Sequence, residues 1–225
     1  MAQCKYCNKK GWFLQVSKAG LCNNCHRPVI ASLESVLKVL DESVKLVNNS
    51  KSFNTRIGRV DLAIEKCDDL YNEFWSKGIT VFEPNPHEAK EKLLKEKEKI
   101  ISDEIHNLVK KHIEKAKRAK TVKTKISNAD KALDELLKFN QQYNYENKEL
   151  ENTIHAFIHK AQYDDYIETA EKHEFKGDFK KAIDKYQDAL FFLKKDDIPD
   201  DSQKPLIDEL EGKISKLQMQ SARIE

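Results

Sequence analysis

The chain has 225 residues, of which 40 are Lys or Arg, 38 are Asp or Glu, 6 are Gly and 5 are Pro, so it is densely charged, nearly neutral and poor in chain breakers. A hydrophobic fraction of 39% supplies a narrow core rather than one thick globule, and no stretch approaches the roughly 18 uninterrupted apolar residues of a membrane span. With no apolar targeting segment after Met1, the expectation is a soluble, cytoplasmic chain with no membrane partner.

Charge is unevenly spread. Up to Asn140 there are 27 basic and 19 acidic residues, and from Gln141 onward 13 basic and 19 acidic, a split that suits a polyanion-facing end and a solvated acidic end.

Four of the five cysteines fall in the first 25 residues, as Cys4-x2-Cys7 and Cys22-x2-Cys25 with fourteen residues between the pairs. Each pair lets two thiolates of one tight knuckle reach the same ion, and two knuckles complete the tetrahedral set that structural Zn2+ prefers. Lys5, Lys9, Lys10 and Lys18 lie in this segment, which has no carboxylate, and their charge helps keep the thiolates ionised. The competing readings are a redox pair or disulfides, and His26 in place of Cys25; two matched pairs in a cytosolic chain favour metal. Four thiolates leave no open coordination position, so the zinc is expected to be structural rather than catalytic.

Between the knuckles, Gly11 to Val16 reads as a strand, Ser17-Lys18-Ala19-Gly20 as a turn and Leu21 as the return. Residues 1–27 resemble a zinc-ribbon or treble-clef finger, with Cys4, Cys7, Cys22 and Cys25 at the ligand positions. A helix rather than a third strand is expected after Cys25, which favours a treble-clef-like or truncated ribbon variant over a full three-stranded ribbon. Tyr6 and Trp12 near Lys9 and Lys10 suit stacking on nucleic acid, or else packing beneath the zinc site.

The rest is predicted to be helical. Pro28 is a natural helix start, followed by Val29, Leu33, Val36, Leu37, Leu40, Val44 and Val47 at three- and four-residue steps. A second stripe, Ile57, Val60, Ile64, Cys67, Leu70, Tyr71 and Phe74, begins near Asn54 or Thr55 and should pair antiparallel with the first, with Cys67 as a small core residue. After a connector over Gly78 to Pro86, a third helix about 30 residues long, roughly 45 Å, presents Leu94, Ile101, Ile105, Leu108, His112 and Ala116. Glu88 with Lys92 and Glu91 with Lys95 are spaced for solvated intrahelical pairs. The fourth helix runs from about Thr121 to Phe139 with Ile126, Ala129, Leu133, Leu136 and Leu137 inward, and the fifth carries Leu150, Ile154, Phe157, Ile158 and Ala161.

Residues 50–70 and 119–139 align without a gap, matching Thr55 with Thr124, Asp61 with Asp130 and Ala63 with Ala132, and Ala182-Ile183-Asp184-Lys185 is a shorter echo. From Tyr163 to Lys195, Tyr166, Ala170, Gly177-Asp178-Phe179, Ala182, Tyr186, Ala189 and Leu190 resemble a tetratricopeptide repeat. His173 and Lys194 depart from that pattern, standing where an aromatic and a proline are usual. The resemblance implies a packed helix pair of a kind that stacks into protein-binding surfaces. Pro205 is expected to open a last helix with Leu206, Leu210, Ile214 and Leu217 inward.

The expected fold is therefore mainly α: a zinc-finger head at 1–27 with a β-hairpin, then an elongated array of antiparallel helices, as long hairpins at 28–145 and a tetratricopeptide-like region at 146–225. No glycine-rich phosphate loop, Ser-His-Asp order or carboxylate pair points to an enzyme, and His155 with His159, four apart, lack an acidic motif that would complete a catalytic site. The leading expectation is a non-enzymatic adaptor or inhibitor that binds another protein, with homo-oligomerisation through exposed apolar stripes left open. The alternative is a nucleic-acid-binding or regulatory protein using the head and the basic segment Lys110, Lys111, Lys115, Lys117, Arg118, Lys120, Lys123 and Lys125, which contains one acid, Glu114. The same cluster also suits a solvated helix C-terminus. Usage rich in Lys, Asn and Ile is in keeping with a bacterial or phage source, where an inhibitor sequestering a host factor is a special case.

Overall fold

The computed structural model describes residues 1–196 and 198–222, and these fall into two compact units, Met1–Ile105 and His106–Glu225. Among the described residues the fold is mainly α, with seven α-helices and a two-stranded antiparallel hairpin at the N-terminus.

The hairpin pairs β1 (Ala2–Gln3) with β2 (Lys10–Gly11). The strand expected over Gly11 to Val16 is therefore confined to its first residue, together with a single bridge between Val16 and Cys22. The Cys4–Cys7 knuckle is the hairpin's turn, so the pairing partner is the segment before Cys4 rather than the segment after Trp12. The turn over Ser17 to Gly20 forms as expected, with the Gly20 N–H donating to the Ser17 carbonyl at 2.8 Å.

Helix α1 (Asn23–Asn49) begins before Cys25, with Cys22 as its N-cap, so Pro28 lies sixth in the helix instead of opening it. A proline there removes only the bond to the Asn24 carbonyl. Helix α2 (Phe53–Glu73) follows after a short linker; the Ser52 side chain caps it by accepting from the Thr55 N–H at 3.4 Å, and Arg56 reaches back to the Val47 carbonyl at 3.2 Å. The linker turns the chain back, so α1 and α2 pack as an antiparallel pair. Ala63 sits at the middle of the buried stripe with no exposed surface, letting the helices approach closely. A 3-10 turn, Trp75–Lys77, ends at Gly78 with φ +76°, a left-handed conformation that favours glycine.

Helix α3 (Pro86–Arg118) has Pro86 as its first residue. Its buried residues include Leu93, Ile100, Ile101, Ile105, Val109 and Ala116, whereas Leu94 is exposed. Among the described residues its ion pairs within the first unit run to α2 rather than along the helix: Lys90 to Asp68 at 2.7 Å, Lys97 to Asp61 at 2.6 Å, and Glu96 to Arg56 at 3.3 Å. Such partly exposed pairs contribute about 0–1 kcal/mol each, so they fix orientation more than stability.

In the second unit, α4 (Val122–Tyr143) is capped by the Thr121 hydroxyl, which accepts from the Thr124 N–H at 3.3 Å, and runs past Phe139 to a left-handed Asn144. Ala129, Ala132, Leu136 and Phe139 are buried; Leu137, expected inward, is exposed. Helix α5 (Lys148–Phe175) is one continuous helix of 28 residues through Tyr163, so the fifth helix and the first half of the repeat-like segment are a single element. Helix α6 (Phe179–Lys195) follows the turn at Gly177, φ +75°. Helix α7 (Asp200–Ser221) begins after Pro199, which again leaves a proline, Pro205, sixth in the helix rather than at its start. Short connectors make α5, α6 and α7 successive antiparallel neighbours around Ala170, Ala182, Tyr186, Ala189, Leu193, Leu210 and Leu217. On α7 the inward stripe begins at Ile207, with Leu206 exposed. Among the described residues no helix is long and apolar enough to cross a membrane.

Candidate metal centre

The first knuckle is shaped by its backbone. The Cys4 N–H donates to the Lys9 carbonyl and the Asn8 N–H to the Cys4 carbonyl, both at 2.9 Å, which requires Asn8 at φ +59°, a conformation Asn tolerates better than most residues. The second knuckle is the first turn of α1, where the Cys25 N–H donates to the Cys22 carbonyl at 3.0 Å. The Lys5 N–H donates to the Gly20 carbonyl at 2.9 Å and joins the two knuckles.

This brings Cys4, Cys7, Cys22 and Cys25 together, with every Sγ within 4.8 Å of the others and Cys7 Sγ 3.9 Å from Cys22 Sγ. All are free thiols, so the disulfide reading is set aside. A tetrahedral ion with metal–sulfur bonds of about 2.3 Å spaces its thiolates roughly 3.8 Å apart, so the four residues fit a metal ion. His26 is not part of the cluster; its Nδ1 lies 3.1 Å from the Ser17 hydroxyl.

The electrostatics agree with this donor set. Burial works to raise the Cys4 thiol, but hydrogen bonds from the backbone N–H groups of Cys7, Cys22 and Tyr6, with help from the Cys7 side chain, outweigh it and bring Cys4 down to about 6. Cys25 is driven the other way, to about 12, first by sharing a hydrogen with Cys22, then by burial and by the neighbouring Cys7 and Cys4. Crowded thiols cannot all ionise by themselves, and a soft dication held by all four would supply the charge that lets them. It would also cross-link the first knuckle to the start of α1.

The centre is part of the core of the first unit. Cys4, Ala19, Leu21 and Cys22 are buried in one cluster with Val29, Leu33, Leu40, Ala63, Cys67, Leu70, Phe74 and Ile79. Lys5 adds a polar clasp: its stem crosses Gly20, where a Cβ would lie 2.5 Å from Lys5 Cδ, and its Nζ donates to the Gly78 carbonyl at 2.6 Å. Sequence reasoning missed this clasp because nothing in local spacing links residue 5 to residue 78. Cys67 is buried as expected, and burial pushes its thiol up to about 11.

The aromatic residues of the head are not beneath the metal site. Tyr6 is partly exposed under Lys77, whose Nζ is 4.4 Å from the ring centroid, while Trp12 is 83% and Phe13 99% exposed.

The basic segment is a corner between helices. Lys110, Lys111, Lys115, Lys117 and Arg118 are in the last turns of α3, Lys120 is in the linker, and Lys123 and Lys125 are in the first turns of α4. All but the half-buried Lys125 are exposed, and none forms an ion pair among the described residues. His155 and His159 do not share a site: His159 Nε2 lies 2.6 Å from Asp196 with its ring stacked on Phe192, and His155 faces Glu151 at 3.9 Å.

No protein-family profile matches the chain, and no curated protein or solved structure matches it.

Proposed function

We propose that this chain is a non-enzymatic protein-binding adaptor or inhibitor, in which zinc held by Cys4, Cys7, Cys22 and Cys25 stabilises the head and helical surfaces engage another protein. Thiolate-only coordination suits Zn2+, and its closed geometry gives the ion a structural role. Helices α5 and α6 act as a tetratricopeptide-like hairpin, supported by complete burial of Ala170, where the resemblance places the helix crossing, and of Ala182, Tyr186 and Ala189 in the second helix's sequence of small and large residues.

The observation that carries the proposal is an open groove of about 600 Å3 in the first unit, between α1 and the start of α3. Leu37, Leu40, Val44, Ala89 and Leu93 form its apolar lining, and Asp41, Glu83 and Glu88 outnumber the one lining cation, Lys92, to give it net acidic character. Asp41 is already paired with Lys45 at 2.6 Å, which leaves Glu83 and Glu88 facing a partner. Such a surface suits an amphipathic segment with apolar anchors and basic flanks. A photo-crosslinking residue at position 92, used in the native host, should capture a protein, and Val44→Asp should abolish that adduct while helicity is unchanged. Capture of no protein, together with tight nucleic-acid binding, overturns the proposal.

A second reading rests on the unpaired cations of the basic corner. It predicts strongly salt-dependent affinity for DNA or RNA. In Lys111→Ala, Lys115→Ala and Arg118→Ala the log–log salt slope should fall by about 0.9 for each duplex phosphate left without its cation. Absence of affinity at low salt rejects it.

A further inference from the structure

Trp12 and Phe13 are the only adjacent pair of exposed large apolar side chains among the described residues. Their neighbours Gly11 and Leu14 are half-buried, and Ala19 and Leu21 of the same finger go into the core, whereas these two rings are turned outward. Three exposed lysines, Lys9, Lys10 and Lys18, share the same short segment and form no ion pair among the described residues, and the first carboxylate side chain in the sequence is Glu34. Lys5, the remaining cation of the segment, is engaged with Gly78.

Beside Phe13 is a recess of about 260 Å3 to which Lys9, Leu14, Gln15, Cys22, Asn23 and Asn24 contribute, so it borders the cysteine cluster. It lies below the ~300 Å3 at which small-molecule pockets begin, so it suits an edge reaching in from a larger ligand. The amides of Gln15, Asn23 and Asn24 are exposed, and each offers both a donor and an acceptor. That character argues against a lipid surface, since a wedge entering a bilayer would have to strip water from three amides. It fits a ligand with flat faces, hydrogen-bonding edges and a chain of negative charge.

We propose that the finger tip binds single-stranded nucleic acid: Trp12 and Phe13 stack on bases, Lys9, Lys10 and Lys18 neutralise phosphates, and the amide-lined recess receives a base edge. A single strand is required because the faces the rings would use are already stacked inside a duplex. The site goes beyond the α1 groove, and it is separate in residues and in unit from the basic corner at 110–125.

The test uses full-length, metal-loaded protein with Trp75→Phe, which leaves Trp12 as the sole tryptophan. Oligothymidylate should quench Trp12 fluorescence, and the same sequence as a duplex should not. Trp12→Ala or Phe13→Ala should weaken oligothymidylate binding roughly 5- to 150-fold, and Trp12→Phe should restore most of it. Lys9→Ala with Lys10→Ala should lower the salt slope by about 0.7 for each phosphate that is no longer neutralised. Lys9, Lys10, Trp12 and Phe13 are all exposed, so metal content and helicity in each tip variant should match those of the Trp75→Phe parent. The proposal is overturned if oligothymidylate leaves Trp12 unquenched, including when phosphatidylserine vesicles shift it to the blue instead. It is equally overturned if binding survives the tip variants and disappears only in Lys111→Ala/Lys115→Ala/Arg118→Ala, an outcome that would leave the basic-corner reading standing.

Discussion

In the first unit α2 buries Val60, Ala63, Cys67 and Leu70, and in the second α4 buries Ala129, Ala132, Leu136 and Phe139, each at an offset of 69 residues (132 minus 63). The caps match as well, since Ser52 accepts from Thr55 and Thr121 from Thr124 at the same offset. Helix α6 repeats the register with Ala182, Tyr186, Ala189 and Leu193. What differs is how the cores are completed. The first unit brings a cysteine cluster into its core, whereas the second places Tyr186 at the centre, its hydroxyl donating to Glu174 at 2.8 Å. One helical register with a small residue at the crossing can thus be finished by a cysteine cluster fit for a metal ion or by an aromatic side chain, and the two should fail under different conditions.

Metal removal should separate the units most sharply. Structural zinc contributes on the order of 10 kcal/mol in finger peptides, so chelation or Cys4→Ser should abolish hydrogen-exchange protection in α1 and α2 while α6 and α7 stay protected. Equal loss of protection in both units would break the comparison. The next largest effect is expected from overpacking the matched alanines: Ala63→Leu and Ala132→Leu should each destabilise by about 1–3 kcal/mol, measured by urea denaturation. A cost at only one position would mean that the crossings are not equivalent.

High pH should act on the second unit through its tyrosines. Burial, then the Glu174 hydrogen bond, raises Tyr186 well above its ordinary value of 10.0, and burial also raises Tyr163. The folded state therefore holds these protons when the unfolded chain has begun to release them. Their contribution is complete below about pH 10, the unfolded value, and declines as pH rises through the folded values. Tyr186→Phe should flatten that decline in a thermal-melt series between pH 9 and pH 12. The smallest effect is expected at the caps, where Ser52→Ala and Thr121→Ala should each cost about 1 kcal/mol. Unequal losses would sharpen the comparison by showing which unit leans more on its helix start.

The cysteine cluster was legible because its signal is local: two knuckles with two residues between their thiols need little else to converge on one point. The helices were legible because apolar spacing persists over many turns. Two-residue strands carry no periodicity, so the pairing of Ala2–Gln3 with Lys10–Gly11 had no signature, and Trp12-Phe13 gave strand-like apolar character to a turn. Doublets such as Leu93-Leu94, Leu136-Leu137 and Leu206-Ile207 let the inward position slip by one residue, which only packing against a neighbour decides. Pro28 and Pro205 misled in the same way, because a proline near the start of a helix marks the first turns without marking the first residue.

The clasp from Lys5 to the Gly78 carbonyl spans 73 positions of chain. Synthesis proceeds from the N-terminus, so the cysteine-bearing segment leaves the ribosome well before its acceptor does. A nascent chain can gather its four cysteines early, but it can fasten the finger to the helices only once both α1 and α2 have emerged, so the order of assembly is written into which end of the clasp is made first.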